Sequence, residues 1–143
     1  MASEQRFSTF YLDGLYFGVE VERVQEVLRH QPTTAVPLAS AVIGGLINLR
    51  GQIVTALDLR QRLGLAKRVG DEEAMNVVVR TDDGAVSLLV DEIGDVVEVR
   101  DELFESPPDT VKGEARELVR GVYKLKERLL LVLNTERALQ VRQ

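Results

Sequence analysis

Cysteine and tryptophan are missing from these 143 residues, and histidine occurs once, at His30. Without thiols there is no disulfide framework, no thiolate nucleophile and no thiolate metal site, and a reducing compartment is the expected setting. A lone histidine beside Gln31 and Pro32 builds no usual zinc centre. Ser8, Ser40, Ser87 and Ser106 lack the GxSxG context that marks a nucleophile. Gly44-Gly45 leads into a strand pattern without the Lys-Ser/Thr of a P-loop or the GxGxxG of a dinucleotide fold. No cofactor or metal site is legible, and catalysis is not expected. Surplus positive charge is absent too. A formal charge of −5 and a pI near 5.0 argue against nucleic acid, because phosphates are neutralised by clustered Lys and Arg. The few aromatics gather at Phe7, Phe10, Tyr11, Tyr16 and Phe17 beside few cations, unlike the stacking platforms of oligonucleotide-binding barrels. No apolar run approaches the roughly 20 residues that span a bilayer, and MASEQRF has no signal-like apolar core. The expected location is the cytoplasm, with no direct membrane insertion.

What is present is short, Val/Leu-rich strand patterning broken by turn residues. Residues 6–12 and 15–21 flank Asp13-Gly14, a strong hairpin signal. Residues 22–28 fit a helical turn or a strand, and Pro32 ends them. A second hairpin, 42–49 and 53–57, turns at Arg50-Gly51-Gln52, and Asp58 is placed to cap a short helix over 59–63 that Gly64 ends. A charged connector over 67–74 precedes strands at 76–81, 85–90 and 96–99. Ser106-Pro107-Pro108 opens a polar loop to about 116. A last hairpin, 118–125 and 129–133, turns at Lys126-Glu127-Arg128, and Asn134 caps a helix over 135–139.

The chain repeats itself. GLINLRGQIVTALDLRQRL from Gly45 lies ungapped over GVYKLKERLLLVLNTERAL from Gly121, an offset of 76 that pairs Leu49 with Leu125, Arg50 with Lys126, Leu57 with Leu133 and Asp58 with Asn134. A fainter match at an offset of 69 sets FGVEVERVQEV from Phe17 over VSLLVDEIGDV from Val86; Glu22 meets Asp91, Glu26 meets Asp95 and Val27 meets Val96. Two halves of about five short strands each avoid open edges most simply by curling into small barrels. The expected fold is all-β: two packed five-stranded barrels with short helices and an internal pseudo-repeat. LLLVL at 129–133 is apolar at every position, so one face should fill its own barrel and the other meet a neighbour.

VERVQEV (21–27), GGLINLRGQIV with ALDLRQRLGL (44–65), LLVDEIGDVVEV (88–99) and RGVYKLKERLLLVLNTERAL (120–139) together resemble the CheW family of chemotaxis coupling proteins, over nearly the whole chain. The resemblance implies two SH3-like barrels in one CheW-like domain over 1–143, with 15–68 plus 118–143 as the first barrel and 75–117 as the second. It implies a non-enzymatic adaptor that joins methyl-accepting chemoreceptors to the regulatory domain of a CheA-type histidine kinase, recruited to membrane-associated receptor arrays. Carried over by motif position, Val24, Glu26, Arg50, Val77 and Val96 would form a receptor-facing groove. Gly45 and Gly51 would lie at the kinase-facing surface. Three apolar residues with one acid and one base suit a groove for a helical hairpin tip: apolar area binds, and a charge pair at the rim orients. A paralogue that binds receptors without activating the kinase, or that serves another signalling array, fits the same motifs. The rival from another class is a small-ligand-binding or hydrolytic barrel built on the acidic turns, which requires a concave polar pocket with converging titratable groups.

Overall fold

The structure, a computed structural model, describes residues 4–67 and 73–140; the middle of the predicted 67–74 connector lies outside the described residues. Eleven strands are assigned among them: β1 (Glu4–Leu12), β2 (Leu15–Glu20), β3 (Val24–Leu28), β4 (Ile43–Leu49), β5 (Gln52–Asp58), β6 (Met75–Thr81), β7 (Gly84–Val90), β8 (Glu92–Arg100), β9 (Phe104–Glu105), β10 (Val119–Lys124) and β11 (Leu129–Leu133). Three short helices join them: α1 (Leu59–Arg62), α2 (Glu114–Leu118) and α3 (Thr135–Ala138). Asp58 and Asn134 cap α1 and α3 as expected, each accepting the backbone N–H three residues on. The ambiguous stretch resolves into a 3-10 turn, Val21–Arg23, followed by β3. The sequence missed β9 and α2 inside its polar loop, and it missed the first residues of β8.

The fold is all-β, with two curled sheets ordered β8-β1-β2-β11-β10-β9 and β3-β6-β7-β5-β4. This order corrects the barrel boundaries expected from the sequence. Residues 43–58 pair not with the C-terminal hairpin but, through β5, with β7, so one sheet runs contiguously from β3 to β7 while the chain ends supply the other. The repeat explains why. Matching each half strand for strand sets β1 against β6, β2 against β7, β3 against β8, β4 against β10 and β5 against β11, and this exchange converts one sheet order into the other. Each half gives its first two strands to one sheet and its last three matched strands to the other, with β9 added in the second half. The two parallel contacts, β2 with β11 and β5 with β7, are the joins between halves.

Strand alternation then sorts side chains into three apolar layers. Phe10, Phe17, Val19, Leu57, Val77, Val79, Leu88, Val90, Leu131 and Leu133 fill the space between the sheets. Ile47, Val54, Ala56, Val78 and Leu89 fill one barrel, and Phe7, Tyr16, Val99, Tyr123, Leu130 and Val132 fill the other. The all-apolar run on β11 splits as expected, Leu130 and Val132 to its own barrel, Leu131 and Leu133 to the shared core. At roughly 1.5–3 kcal/mol per buried aliphatic side chain, this doubly covered strand anchors both layers.

Each half also changes sheets once, and each crossing is held by an ion pair to a helix. Between β7 and β8, Asp91 takes three hydrogen bonds from the Arg60 guanidinium at 2.6–3.2 Å and a fourth from the Asp13 backbone N–H at 2.8 Å. Between β2 and β3, Arg23 bonds Glu136 of α3 at 2.9 Å and Glu20 at 3.2 Å. Arg60 and Glu136 occupy equivalent positions, so the crossings use the same device with the charges reversed.

Candidate functional site

The strands β3 and β8 are equivalent by the repeat, and each is the terminal strand of its sheet. Both carry a register break at the matching place, opposite Val78–Val79 in one case and opposite Ser8–Phe10 in the other. Residues paired across a ladder share a face. Val24 pairs Val79 and Val27 pairs Val77, both of the inter-sheet core; Ile93 pairs Phe10 and Val96 pairs Ser8 on the corresponding face. Val24, Val27, Ile93 and Val96 therefore point to the seam between the two sheets. Val24 and Ile93 pack on the shared core, while Val27 and Val96 remain 37% and 58% exposed. An apolar strip bordered by two open strand edges results.

Arg50 sits at the tip of the β4–β5 hairpin, where Leu49 pairs Gln52 and leaves a two-residue loop. Arg50 has φ 51° and Gly51 φ 87°, the left-handed pair of a type I′ turn. Asn48 Oδ1 accepts the Gly51 N–H at 3.0 Å and locks it. Such turns favour Asn, Asp or Gly at the first position, so an arginine there is held at a conformational cost. Its side chain is 74% exposed and donates from Nη1 to Glu26 Oε2 at 2.7 Å. That ion pair ties the hairpin tip to β3, the opposite terminal strand of the same curled sheet.

The expected site residues thus fall into separate environments. Glu26 and Arg50 are joined directly. Val24 and Val96 lie on the seam from opposite sheets. Val77 has no exposed surface; it lies on β6, one strand in from the edge, beside Val27 on the same face. Gly45 has φ 143°, and a Cβ there would meet the Thr34 carbonyl oxygen at 2.7 Å, so the chain's own segment covers that position. Gly51 has open space where a Cβ would project, and its turn conformation explains it. Val27 and Ile93 escaped sequence reasoning, although the offset of 69 that pairs Val27 with Val96 also pairs Val24 with Ile93.

The rival's polar pockets exist, but the arginine of each is already paired with a carboxylate. A cavity of about 540 Å³ is lined by Arg60, Asp91, Glu73 and Glu92; there Arg60 spends its donors on Asp91 and on the Ala66 carbonyl. A second, of about 440 Å³, opens at Phe7, Glu20, Asp101, Arg120 and Tyr123. Burial, then the Asp101 carboxylate, push the Tyr123 phenol above its ordinary value, which keeps it protonated and a poor base. Arg120 there is bound to Glu20. Among the described residues no group of three or more His, Cys, Asp or Glu could hold a metal ion, and no helix is long and apolar enough to cross a membrane.

Known proteins agree with this arrangement. The chain is 29% identical over 135 residues to the chemotaxis protein CheW of Bacillus subtilis, covering 94% of this chain and 86% of that protein. It is 29% identical over 130 residues to CheW of Treponema pallidum, covering 88% and 76%. The crystal structure of the scaffolding protein TtCheW from Thermoanaerobacter tengcongensis superposes with a TM-score of 0.86 at 25% identity, over 98% of this chain and 95% of that one. A CheW-like domain profile matches residues 6–143, and with the swapped sheets in place as well, the chain belongs to the CheW-like family.

Proposed function

We propose that this protein is a non-enzymatic adaptor of chemotaxis signalling that couples methyl-accepting chemoreceptors to a CheA-type histidine kinase. The observation that carries the reading is Arg50, exposed and held in a left-handed turn beside the Val24–Val27 strip. A costly backbone conformation under an exposed charge marks a position kept for what it contacts. The seam accepts the apolar face of a helical hairpin tip, and Arg50, steadied by Glu26, engages an acidic group on it. Val77, buried beside Val27 on the neighbouring strand, acts indirectly by packing against it.

The kinase meets the five-stranded barrel around the β4–β5 hairpin, near Gly51, while Gly45 shapes that surface through its packing on Thr34. Receptor conformation then biases the kinase because one rigid body holds both partners. The protein works in the cytoplasm at receptor arrays.

Reconstitution tests this. Kinase autophosphorylation is measured with receptor and kinase, with and without the protein, alongside direct receptor binding. The expected result is a receptor-dependent rise in kinase activity that requires the protein. Equal activity in both arms sinks the coupling function; if receptor binding persists, the protein is instead a receptor-binding paralogue.

A further inference from the structure

The pseudo-symmetry makes the seam two-sided, yet only one side has its charge neutralised. Glu26 on β3 answers to Asp95 on β8, and Arg50 at the β4–β5 tip answers to Lys126 at the β10–β11 tip. Glu26 is 15% exposed and bonded to Arg50. Asp95 is exposed, next to the 58% exposed Val96, and among the described residues its carboxylate makes no ion pair or hydrogen bond. Its backbone carbonyl accepts the Thr9 hydroxyl.

The cause is local. The Arg50-Gly51 turn is left-handed at both positions, whereas Lys126 and Glu127 keep negative φ and the loop closes on a Leu125 N–H to Arg128 carbonyl bond of 2.8 Å. The second tip is a different turn, and its cation does not reach β8. Gly94 precedes Asp95 opposite the register break, and such a bulge re-aims the side chain beside it. A Cβ at Gly94 would meet the Thr9 hydroxyl at 2.5 Å, so the glycine lets β8 lie this close to β1 at the break beside the exposed Asp95.

We infer that Asp95 is a specificity-determining residue of the docking seam, and that the partner's helical tip carries a lysine or arginine facing β8 together with an acidic group facing Arg50. This rests on the docking reading above. A seam with an apolar strip between two equivalent walls would accept a helical tip in either of two orientations. The unpaired Asp95 on one wall and the exposed guanidinium of the Arg50–Glu26 pair on the other select one, because the wrong orientation sets like charges together.

The test uses the full chain and a purified cytoplasmic chemoreceptor fragment, with affinity measured calorimetrically at low and at moderate salt for Asp95→Lys, Asp95→Asn and Arg50→Glu. Each variant is first checked for an unchanged thermal melt. Charge reversal at Asp95 is expected to weaken binding about tenfold at low salt and less at moderate salt, with the Asn variant intermediate. A receptor fragment with its tip base changed to Glu should recover binding to Asp95→Lys and not to Arg50→Glu. If Arg50→Glu weakens binding and Asp95→Lys leaves it unchanged, the seam stands and Asp95 is only a solvated charge. If neither changes it, the docking reading itself fails.

Discussion

The two sheet crossings perform the same step of the fold and are built to different standards. Arg60 and Asp91, 11% and 17% exposed, form a multiply bonded pair that also holds the Asp13 turn. Arg23 and Glu136, 38% and 73% exposed, form a solvated pair at the other crossing, with Glu136 equivalent to Arg60 and Arg23 one residue beyond the equivalent of Asp91. The firm crossing leads into β8 and the lightly held one into β3, which carries Val24 and Glu26. The crossing into the β8 edge of the seam is thus braced, while the crossing into the β3 edge is held by exposed contacts that open at little cost.

The largest expected effect breaks that contrast directly. Asp91→Ala leaves the Arg60 guanidinium largely buried with its main partner gone, and should cost about 3–5 kcal/mol. Glu136→Ala removes an exposed partner and should cost less than about 1 kcal/mol. Urea unfolding measures both, and equal losses would show that the crossings are energetically alike despite their burial.

A second contrast lies at the matching bulges of β4 and β10. Gly45 admits the Thr34 carbonyl, and Gly121 admits the Phe104 ring and the Glu105 carbonyl oxygen, which a Cβ would meet at 2.5 Å. Each glycine lets an extra piece of chain lie against its strand: the Thr34 bridge in one half, β9 in the other. Ala at either position should destabilise by about 1–3 kcal/mol through overpacking, with Gly45→Ala the worse because φ 143° strains any side chain. Thermal melts decide. A Gly45→Ala protein as stable as the native one would remove the packing explanation and leave that glycine for a partner.

These contrasts explain what the sequence could and could not reveal. The repeat was legible because its markers are local: a bulge glycine, a tip, a cap at Asp58 and again at Asn134. Which sheet each strand joins was not, because that depends on parallel pairing between strands far apart in the chain, such as β2 with β11. The strand β9 and helix α2 were hidden by Pro107, Pro108 and polar neighbours, and are defined by what they cover. Among the site residues, the Glu26–Arg50 charge pair was legible as chemistry. The burial of Val77 was not, since an edge strand and its inner neighbour carry the same valines.

The smallest expected effect on stability separates the two hairpin tips. Arg50→Asn puts a residue suited to the left-handed region at φ 51°, which relieves about 1 kcal/mol of backbone strain. It also removes the bond to Glu26, whose loss at an exposed arginine costs about as much. The two terms oppose, so unfolding stability should move by less than about 0.5 kcal/mol while receptor association falls about tenfold. Lys126→Asn, at the equivalent tip with ordinary backbone geometry, should change neither. A chain in which both substitutions weaken receptor association equally would make the two tips functionally symmetric, and the left-handed arginine would then be a feature of the turn alone.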